Sequence, residues 1–191
     1  LAVGAPHDDD GLAFSGAVYI LFMNTNGTVL SWQKISNTTG GFGGGIQGAE
    51  LFGSSIAPIG DLDGDGITEL AVGTRDMHDT GGIKKGGCFI LFMNANGTVK
   101  SKQKIGVGWG GFMQPMIDDA ELGEAVSAVG DLNGDNIPDL AIGAPWDDVG
   151  GSFSVGSLWV LFLDTDGTVK SWKNVSDGNC GFTASLGSGD V

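Results

Sequence analysis

The chain has 191 residues, of which 36 are glycine, and its 23 acidic and nine basic residues give a formal net charge of −14. That charge argues against contact with nucleic acid or an anionic membrane surface, because both need a basic footprint, whereas it suits a protein that holds cations. Glycine in this amount, with no collagen-like period and no helical periodicity, favours an all-β protein with many tight turns.

A repeat of 70 residues organises the chain. An apolar segment that leads into a Gly-containing turn occurs three times, at 21–29, 91–99 and 161–169. A second segment, Leu-Ala-Val-Gly or Leu-Ala-Ile-Gly, occurs at 1–4, 70–73 and 140–143. Such regularity indicates one structural unit that is used three times.

Each complete unit predicts four antiparallel strands. In the middle copy these strands are predicted at Phe52–Ile59, Glu69–Thr74, Gly87–Met93 and Val99–Ile105. In the third copy, Leu122–Val129 and Asp139–Ala144 match the first two strands. Asn-Gly or Asp-Gly precedes each fourth strand and favours a tight hairpin, because both central positions of such a turn take positive φ.

Four-stranded units with so long a period predict a β-propeller, with about three blades in this chain. Blade A is predicted at 1–36 and lacks its first strand, because the chain opens on the second one. Blade B is predicted at 50–105 and blade C at 120–176. Residues 184–191 are interpreted as the first strand of a closing blade.

Two loops of nine residues carry oxygen atoms at alternate positions, which can converge on one point where glycine lets the backbone wind tightly. Side chains at positions 1, 3, 5 and 9 and the carbonyl at position 7 would give the hard oxygen shell that Ca²⁺ prefers. The predicted ligands of one Ca²⁺ are Asp61, Asp63, Asp65, Ile67 and Glu69. Those of a second Ca²⁺ are Asp131, Asn133, Asp135, Ile137 and Asp139.

Two other kinds of acidic loop share part of this pattern. An EF-hand begins in the same way but needs a Glu at position 12 and flanking helices, whereas position 12 here is Val72 or Ile142 and both flanks read as strands. An acidic turn that holds no ion is the other alternative. Four carboxylates within nine residues would repel one another in such a turn.

These residues resemble the FG-GAP repeat of the integrin α-subunit propeller. The resemblance lies in Phe52-Gly53, the acidic loop that follows it, and the Gly-Ala-Pro sequences at 4–6 and 143–145. It implies a calcium-stabilised propeller in which Asp61, Asp63, Asp65 and Glu69, with their counterparts at 131–139, are side-chain ligands. Three departures from the family pattern are Leu122 for Phe, Thr74-Arg75 for Ala-Pro, and Glu69 for the usual Asp.

The loops between strands 2 and 3, and between one blade and the next, emerge opposite the calcium loops. They carry Trp109, Trp146 and Asp147, and aromatic residues beside carboxylates make a plausible surface for a protein or glycan ligand. The repeated Phe42, Phe112 and Phe182 are instead expected to pack between blades.

We therefore expect an extracellular or cell-surface adhesion module rather than an enzyme, since no nucleophile and base occur together. The alternatives are a fragment of an extracellular hydrolase and a propeller lectin. Three blades do not close a ring, so either two chains pair into a six-bladed ring or the chain is part of a longer propeller.

Overall fold

The structure is a computed structural model that describes residues 1–148 and 155–183, and within those ranges it contains eleven strands and no helix. The strands are β1 (Ala2–Ala5), β2 (Ala17–Met23), β3 (Val29–Ser36), β4 (Phe52–Gly60), β5 (Glu69–Thr74), β6 (Gly87–Met93), β7 (Val99–Gly106), β8 (Ala125–Gly130), β9 (Asp139–Ala144), β10 (Ser157–Leu163) and β11 (Val169–Val175). The predicted closing strand at 184–191 lies outside the described residues.

The strands form three antiparallel sheets, β1–β3, β4–β7 and β8–β11. Strands that are neighbours in sequence are neighbours in each sheet, so every sheet is a meander. The Asn-Gly turn before β7 is closed by a hydrogen bond from the Asn94 amide to the Thr98 carbonyl at 2.8 Å, and Gly97 has φ of 80°. This architecture confirms the prediction of an all-β chain built from propeller blades.

The first strand of the third sheet is shorter than predicted. It begins at Ala125 rather than Leu122, and Leu122 makes only an isolated bridge to Gly86. Gly123 has φ of 90° and its amide donates a hydrogen bond to the Gly143 carbonyl at 2.9 Å, but regular pairing with β9 begins only at Ala125. In β4 the equivalent Gly53 has φ of 93°, and the register is interrupted there between Phe52 and Ile56.

Neighbouring sheets approach so closely that backbone touches backbone. A Cβ added to Gly4 of β1 would lie 2.0 Å from the carbonyl oxygen of Gly53, and one added to Gly73 of β5 would lie 2.1 Å from that of Gly123. Glycine therefore occurs at both sides of each junction because no side chain fits. The paired glycines of these two junctions, Gly4 with Gly53 and Gly73 with Gly123, are thus a packing requirement.

The middle sheet is covered on both faces. Along β6, Phe89, Leu91 and Met93 belong to the apolar cluster shared with the first sheet, while Ile90 and Phe92 belong to the cluster shared with the third. This alternation follows from the two-residue period of a strand. It explains why β6 reads as one uninterrupted apolar run.

Aromatic side chains from the linkers between sheets fill both junctions. Phe42 lies 5.1 Å from Phe52 and 5.2 Å from Phe89, measured between ring centroids. Phe112, one repeat later, lies 5.3 Å from Trp159 in a T-shaped arrangement. Such pairs add to the hydrophobic contribution of their buried area. Each linker therefore anchors the next sheet as well as connecting to it.

We predict that Gly73→Ala destabilises the chain by about 1–3 kcal/mol, because the new methyl group would overlap the Gly123 carbonyl and the Ser55 hydroxyl. Gly143→Ala is the matched control at the same repeat position, where the nearest described atom is the Ala125 Cβ at 3.7 Å. In the monomeric chain it should be neutral or stabilise by up to about 1 kcal/mol. Urea unfolding of both variants measures the difference, and equal losses would contradict the role given to the close approach.

Candidate metal centre

The two predicted calcium loops occupy equivalent places in the fold. Loop 61–68 joins β4 to β5, and loop 131–138 joins β8 to β9. Because the sheets are meanders, these loops lie at the same end of the blades as the hairpin turns before β7 and β11. The opposite end carries the loops between strands 2 and 3 and the linkers between sheets.

The first loop is wound around the carboxylate of Asp61. One of its oxygens accepts hydrogen bonds from the Gly64 amide at 2.8 Å and the Asp65 amide at 3.0 Å, and the other accepts from the Gly66 amide at 2.9 Å. Positive φ at Gly64 (80°) and Gly66 (84°) makes this tight path accessible. The loop therefore holds its shape through its own amides.

The second loop repeats this hydrogen-bond pattern. The Asp131 carboxylate accepts from the Gly134, Asp135 and Asn136 amides at 2.7, 3.1 and 2.8 Å. Asn136 takes the place of a glycine and has φ of 65°, a conformation that Asn tolerates better than most residues. In the same loop, the side-chain amide of Asn133 donates a hydrogen bond to the Asp135 carboxylate at 3.2 Å.

The winding brings oxygen atoms of the first loop together. Asp61, Asp63 and Asp65 each offer a carboxylate oxygen, and these oxygens lie within 4.8 Å of one another. The half-buried Ile67 packs against the core, and its amide donates to Asp65 at 2.9 Å. Hard, anionic oxygens grouped in this way form the donor set that Ca²⁺ prefers.

Glu69 is fully buried at the start of β5 and closes the first loop. Its Oε2 accepts a hydrogen bond from the Leu62 amide at 2.7 Å, while its Oε1 is buried without a hydrogen-bond partner. Burial raises the pKa of Glu69, and the neighbouring Asp63 and Asp65 charges raise it further. A buried oxygen left without a partner is costly, and a cation at this position would satisfy it. The residues of the first loop thus fit a metal ion.

Asp139 closes the second loop with a shorter side chain. Its two oxygens accept hydrogen bonds from the Leu132 amide at 2.9 Å and the Leu163 amide at 3.3 Å. Asp139 is also fully buried. The second loop therefore has fewer carboxylates and no orphaned oxygen on its closing residue.

The structure adds two lysines to these loops that the sequence analysis did not identify. The ammonium group of Lys100, at the start of β7, lies 2.6 Å from Asp63 and 2.5 Å from Asp65. The ammonium group of Lys170, at the start of β11, pairs with Asp135. These contacts lower the pKa of Asp65 and of Asp135. The sequence does contain a signal for these contacts, because the two lysines are one repeat apart and each follows a hairpin turn at the loop end of a blade.

The predicted ligand-face residues differ in exposure. Trp109 is 38% exposed and Trp146 44% exposed, so both indole rings reach solvent. Asp147 is 5% exposed, and its carboxylate accepts a hydrogen bond from the Ser157 hydroxyl at 2.7 Å. Burial raises the pKa of Asp147. Contrary to expectation, this carboxylate does not contribute to the exposed surface, because it is enclosed beside β10.

Two loops at that end of the blades are joined by a buried carboxylate. Glu50, in the linker before β4, accepts a hydrogen bond from the His78 amide at 2.9 Å, and its same oxygen lies 2.9 Å from the His78 ring nitrogen Nδ1. The side chain of Glu50 is fully buried. This contact fixes the linker to the loop between β5 and β6.

No helix long and apolar enough to cross a bilayer occurs in residues 1–148 and 155–183.

Comparison with known proteins links the chain to one repeat type. The family model described as "FG-GAP repeat" matches residues 52–81 and 122–161. Integrin alpha-6 of Gallus gallus is 32% identical over 139 residues, which cover 71% of this chain and 11% of that protein. Integrin alpha-2 of Mus musculus is 32% identical over 147 residues, covering 75% of this chain and 11% of that protein.

One relative carries the name of an enzyme. Phosphatidylinositol-glycan-specific phospholipase D of Bos taurus is 30% identical over 152 residues, or 79% of this chain and 17% of that protein. The chain spans less than a fifth of the length of these curated relatives. The matched segments include the two loops and the strands on either side of them, β4 and β5 in one sheet and β8 and β9 in the other. The chain is therefore an FG-GAP repeat protein whose sheets are blades of an integrin-like β-propeller.

Proposed function

We propose that each loop binds one Ca²⁺ and that the ion stabilises the blade without taking part in any reaction. The observation that carries this proposal is the first loop, where carboxylate oxygens of Asp61, Asp63 and Asp65 lie within 4.8 Å of one another and the closing residue, Glu69, has a buried Oε1 without a hydrogen-bond partner. The proposed ligands are those the spacing predicts: Asp61, Asp63, Asp65, Ile67 and Glu69, and Asp131, Asn133, Asp135, Ile137 and Asp139. Bound Ca²⁺ would neutralise the mutual repulsion of the carboxylates at the loop end of the blade.

The two proposed sites differ in charge. The first offers four carboxylates, Asp61, Asp63, Asp65 and Glu69, whereas Asn133 leaves the second with three. Affinity for Ca²⁺ rises with the number of charged ligands. We therefore expect the second site to lose its ion at a higher free Ca²⁺ concentration than the first.

We predict that excess Ca²⁺ raises the melting temperature of the chain and that a chelator lowers it. Saturation at 100 times the dissociation constant would add about 2.7 kcal/mol per site to the free energy of unfolding, because only the folded loop binds the ion. Asp63→Ala and Asp135→Ala should each remove part of the shift, and Asp118→Ala, a carboxylate away from both loops, should keep all of it. Differential scanning calorimetry measures the shift, and identical melts with Ca²⁺ and with chelator would reject calcium binding.

We further propose that the chain serves as a binding module for adhesion outside the cell or at its surface. The exposed indole rings of Trp109 and Trp146 support a protein or glycan ligand at the end opposite the calcium loops, since aromatic side chains often anchor interfaces. The similarity to the phospholipase does not transfer its activity, because it spans 17% of that protein.

Trp109→Ala and Trp146→Ala should each weaken capture on arrays of matrix proteins and glycans by about fivefold or more, the loss typical of an anchoring side chain. Leu30→Ala is the control, because Leu30 is an apolar side chain that is even more exposed, at 69%, but lies at the calcium-loop end. Retained capture by both Trp variants would contradict the proposed ligand face. Turnover in a general hydrolase screen would favour the enzyme alternative.

We also propose that the outer faces of the first and third sheets pair with another copy of the chain. Val3 is 43% exposed on the first sheet, whereas its equivalent Val72 is fully buried. On the third sheet Leu132 and Leu158 are exposed, whereas their equivalents Leu62 and Cys88 are buried. Two copies related by a twofold axis would cover these faces in a six-bladed ring.

Light scattering of the 191-residue chain should then give the mass of a dimer in Ca²⁺, since apolar faces of this kind favour burial. Val3→Asp and Leu158→Asp should dissociate it, because each places a charge in the joint. Leu30→Asp, an exposed change at the hairpin end of β3, should leave the mass unchanged. A folded monomer of the unaltered chain at micromolar concentration would instead favour further blades of a longer polypeptide as the cover.

A further inference from the structure

Lys100 and Lys170 each place an ammonium group against the proposed calcium ligands of their own blade. Lys100 contacts the outer oxygens, Oδ2, of Asp63 and Asp65, and Lys170 contacts Oδ2 of Asp135. The other oxygen of each of these three carboxylates accepts a loop amide, from Asp65, Ile67 and Ile137. The lysines therefore take the carboxylate oxygens that the loop amides leave available.

The same contact occurs in both blades at the same register. Lys100 is 35 residues from Asp65, and Lys170 is 35 residues from Asp135. Each lysine is the second residue of its strand, directly after the hairpin turn at the loop end of the sheet. In the first sheet the equivalent position is Leu30, an exposed apolar residue. The chain thus has lysine at this register in both blades that contain an acidic loop, 61–69 and 131–139.

An ammonium group and Ca²⁺ compete for the same oxygens. Ca²⁺ bound by a carboxylate lies roughly 2.3–2.6 Å from its oxygen, a distance similar to that of the lysine contacts. Two cations on one carboxylate oxygen would stand a few ångströms apart and repel each other. Both lysines are about one-third exposed on flexible four-carbon stems, so they can swing into solvent when the ion arrives.

We propose that Lys100 and Lys170 are built-in counterions that hold the loop carboxylates together in the metal-free state and must be displaced when Ca²⁺ binds. This inference rests on the calcium binding proposed above. The lysines lower the affinity for Ca²⁺ and stabilise the metal-free blade. Lys100 bridges two carboxylates and Lys170 contacts one, so displacement affects the first site more.

Lys100→Met should bind Ca²⁺ about two- to fivefold more tightly than the unaltered chain, and Lys170→Met should show a smaller gain, from the usual worth of exposed ion pairs. In chelator, Lys100→Met should melt about 1–4 °C lower, because its carboxylates lose their counterion. Lys100→Gln, a second neutral variant, should behave like Lys100→Met and guards against a folding defect peculiar to one side chain. Isothermal titration calorimetry and melts in chelator provide the two measurements.

Lys84→Met is the charge-matched control. It removes one positive charge, and Lys84 pairs with Asp76 in the loop at the opposite end of the blade. Its Ca²⁺ affinity should match that of the unaltered chain. Tightening in Lys84→Met equal to that in Lys100→Met would show a general charge effect and overturn the proposal.

The remaining outcomes distinguish the counterion role of the lysines from calcium binding itself. Calcium binding by the unaltered chain with no tightening in Lys100→Met and Lys100→Gln would overturn the counterion role alone. If neither the unaltered chain nor the two variants bind Ca²⁺, both proposals fail. Binding by the variants where the unaltered chain shows none would support the counterion role in its strongest form.

Discussion

The direct approach of one sheet's backbone to the next is the constraint on which the structure depends. The carbonyl oxygens of Gly53 and Gly123 occupy the space in which a side chain at Gly4 or Gly73 would stand. Gly53 and Gly123 also both have positive φ, and neither belongs to the regular ladder between the first two strands of its sheet. One backbone feature therefore limits the spacing between sheets and lies directly beside the buried Phe52 and Leu122.

Each acidic loop has two requirements: its backbone must be held in a tight path, and the negative charge of its carboxylates must be balanced. The carboxylates of Asp61 and Asp131 organise the backbone by accepting three amides each, so the loop is shaped by groups of fixed position. Asp63, Asp65 and Asp135 each accept one loop amide through one oxygen, and their other oxygen is left for a charge from outside the loop. Glu69 makes this demand strongest in the first loop, because its Oε1 is buried and has no hydrogen-bond donor. The loop amides therefore hold the backbone in place, whereas the negative charge has to be balanced by a cation from outside the loop.

Local patterns in the sequence predicted the strands, the hairpins and the place of the acidic loops, because each depends on residues close together in the chain. The late start of β8 could not be predicted from the repeat, because Gly53 has nearly the same φ as Gly123 and β4 nevertheless begins at Phe52. The burial of Asp147 depends on Ser157, ten residues away on a neighbouring strand. A comparison of the repeats could have suggested this burial. The residue equivalent to Asp147 in the middle blade is the buried Met77, and it occurs with Phe89. In the other two blades this position is Asp, and the position of Phe89 is Tyr19 or Trp159, which are aromatic residues with a polar atom. The lysine contacts needed the register between strand and loop.

The linker phenylalanines have an evolutionary consequence. Phe42 packs against the second sheet and Phe112 against the third. Each 70-residue unit therefore carries a linker Phe that packs against the following sheet, and aromatic residues that receive the Phe of the preceding linker. Duplication of one whole unit would place a linker Phe next to a sheet with the aromatic residues that receive it, wherever in the unit the duplication began. A duplication that is not a whole number of units would place a linker Phe next to a sheet that lacks the aromatic residues it packs against. Growth by whole units is thus the route by which such an array lengthens without redesigning its joints.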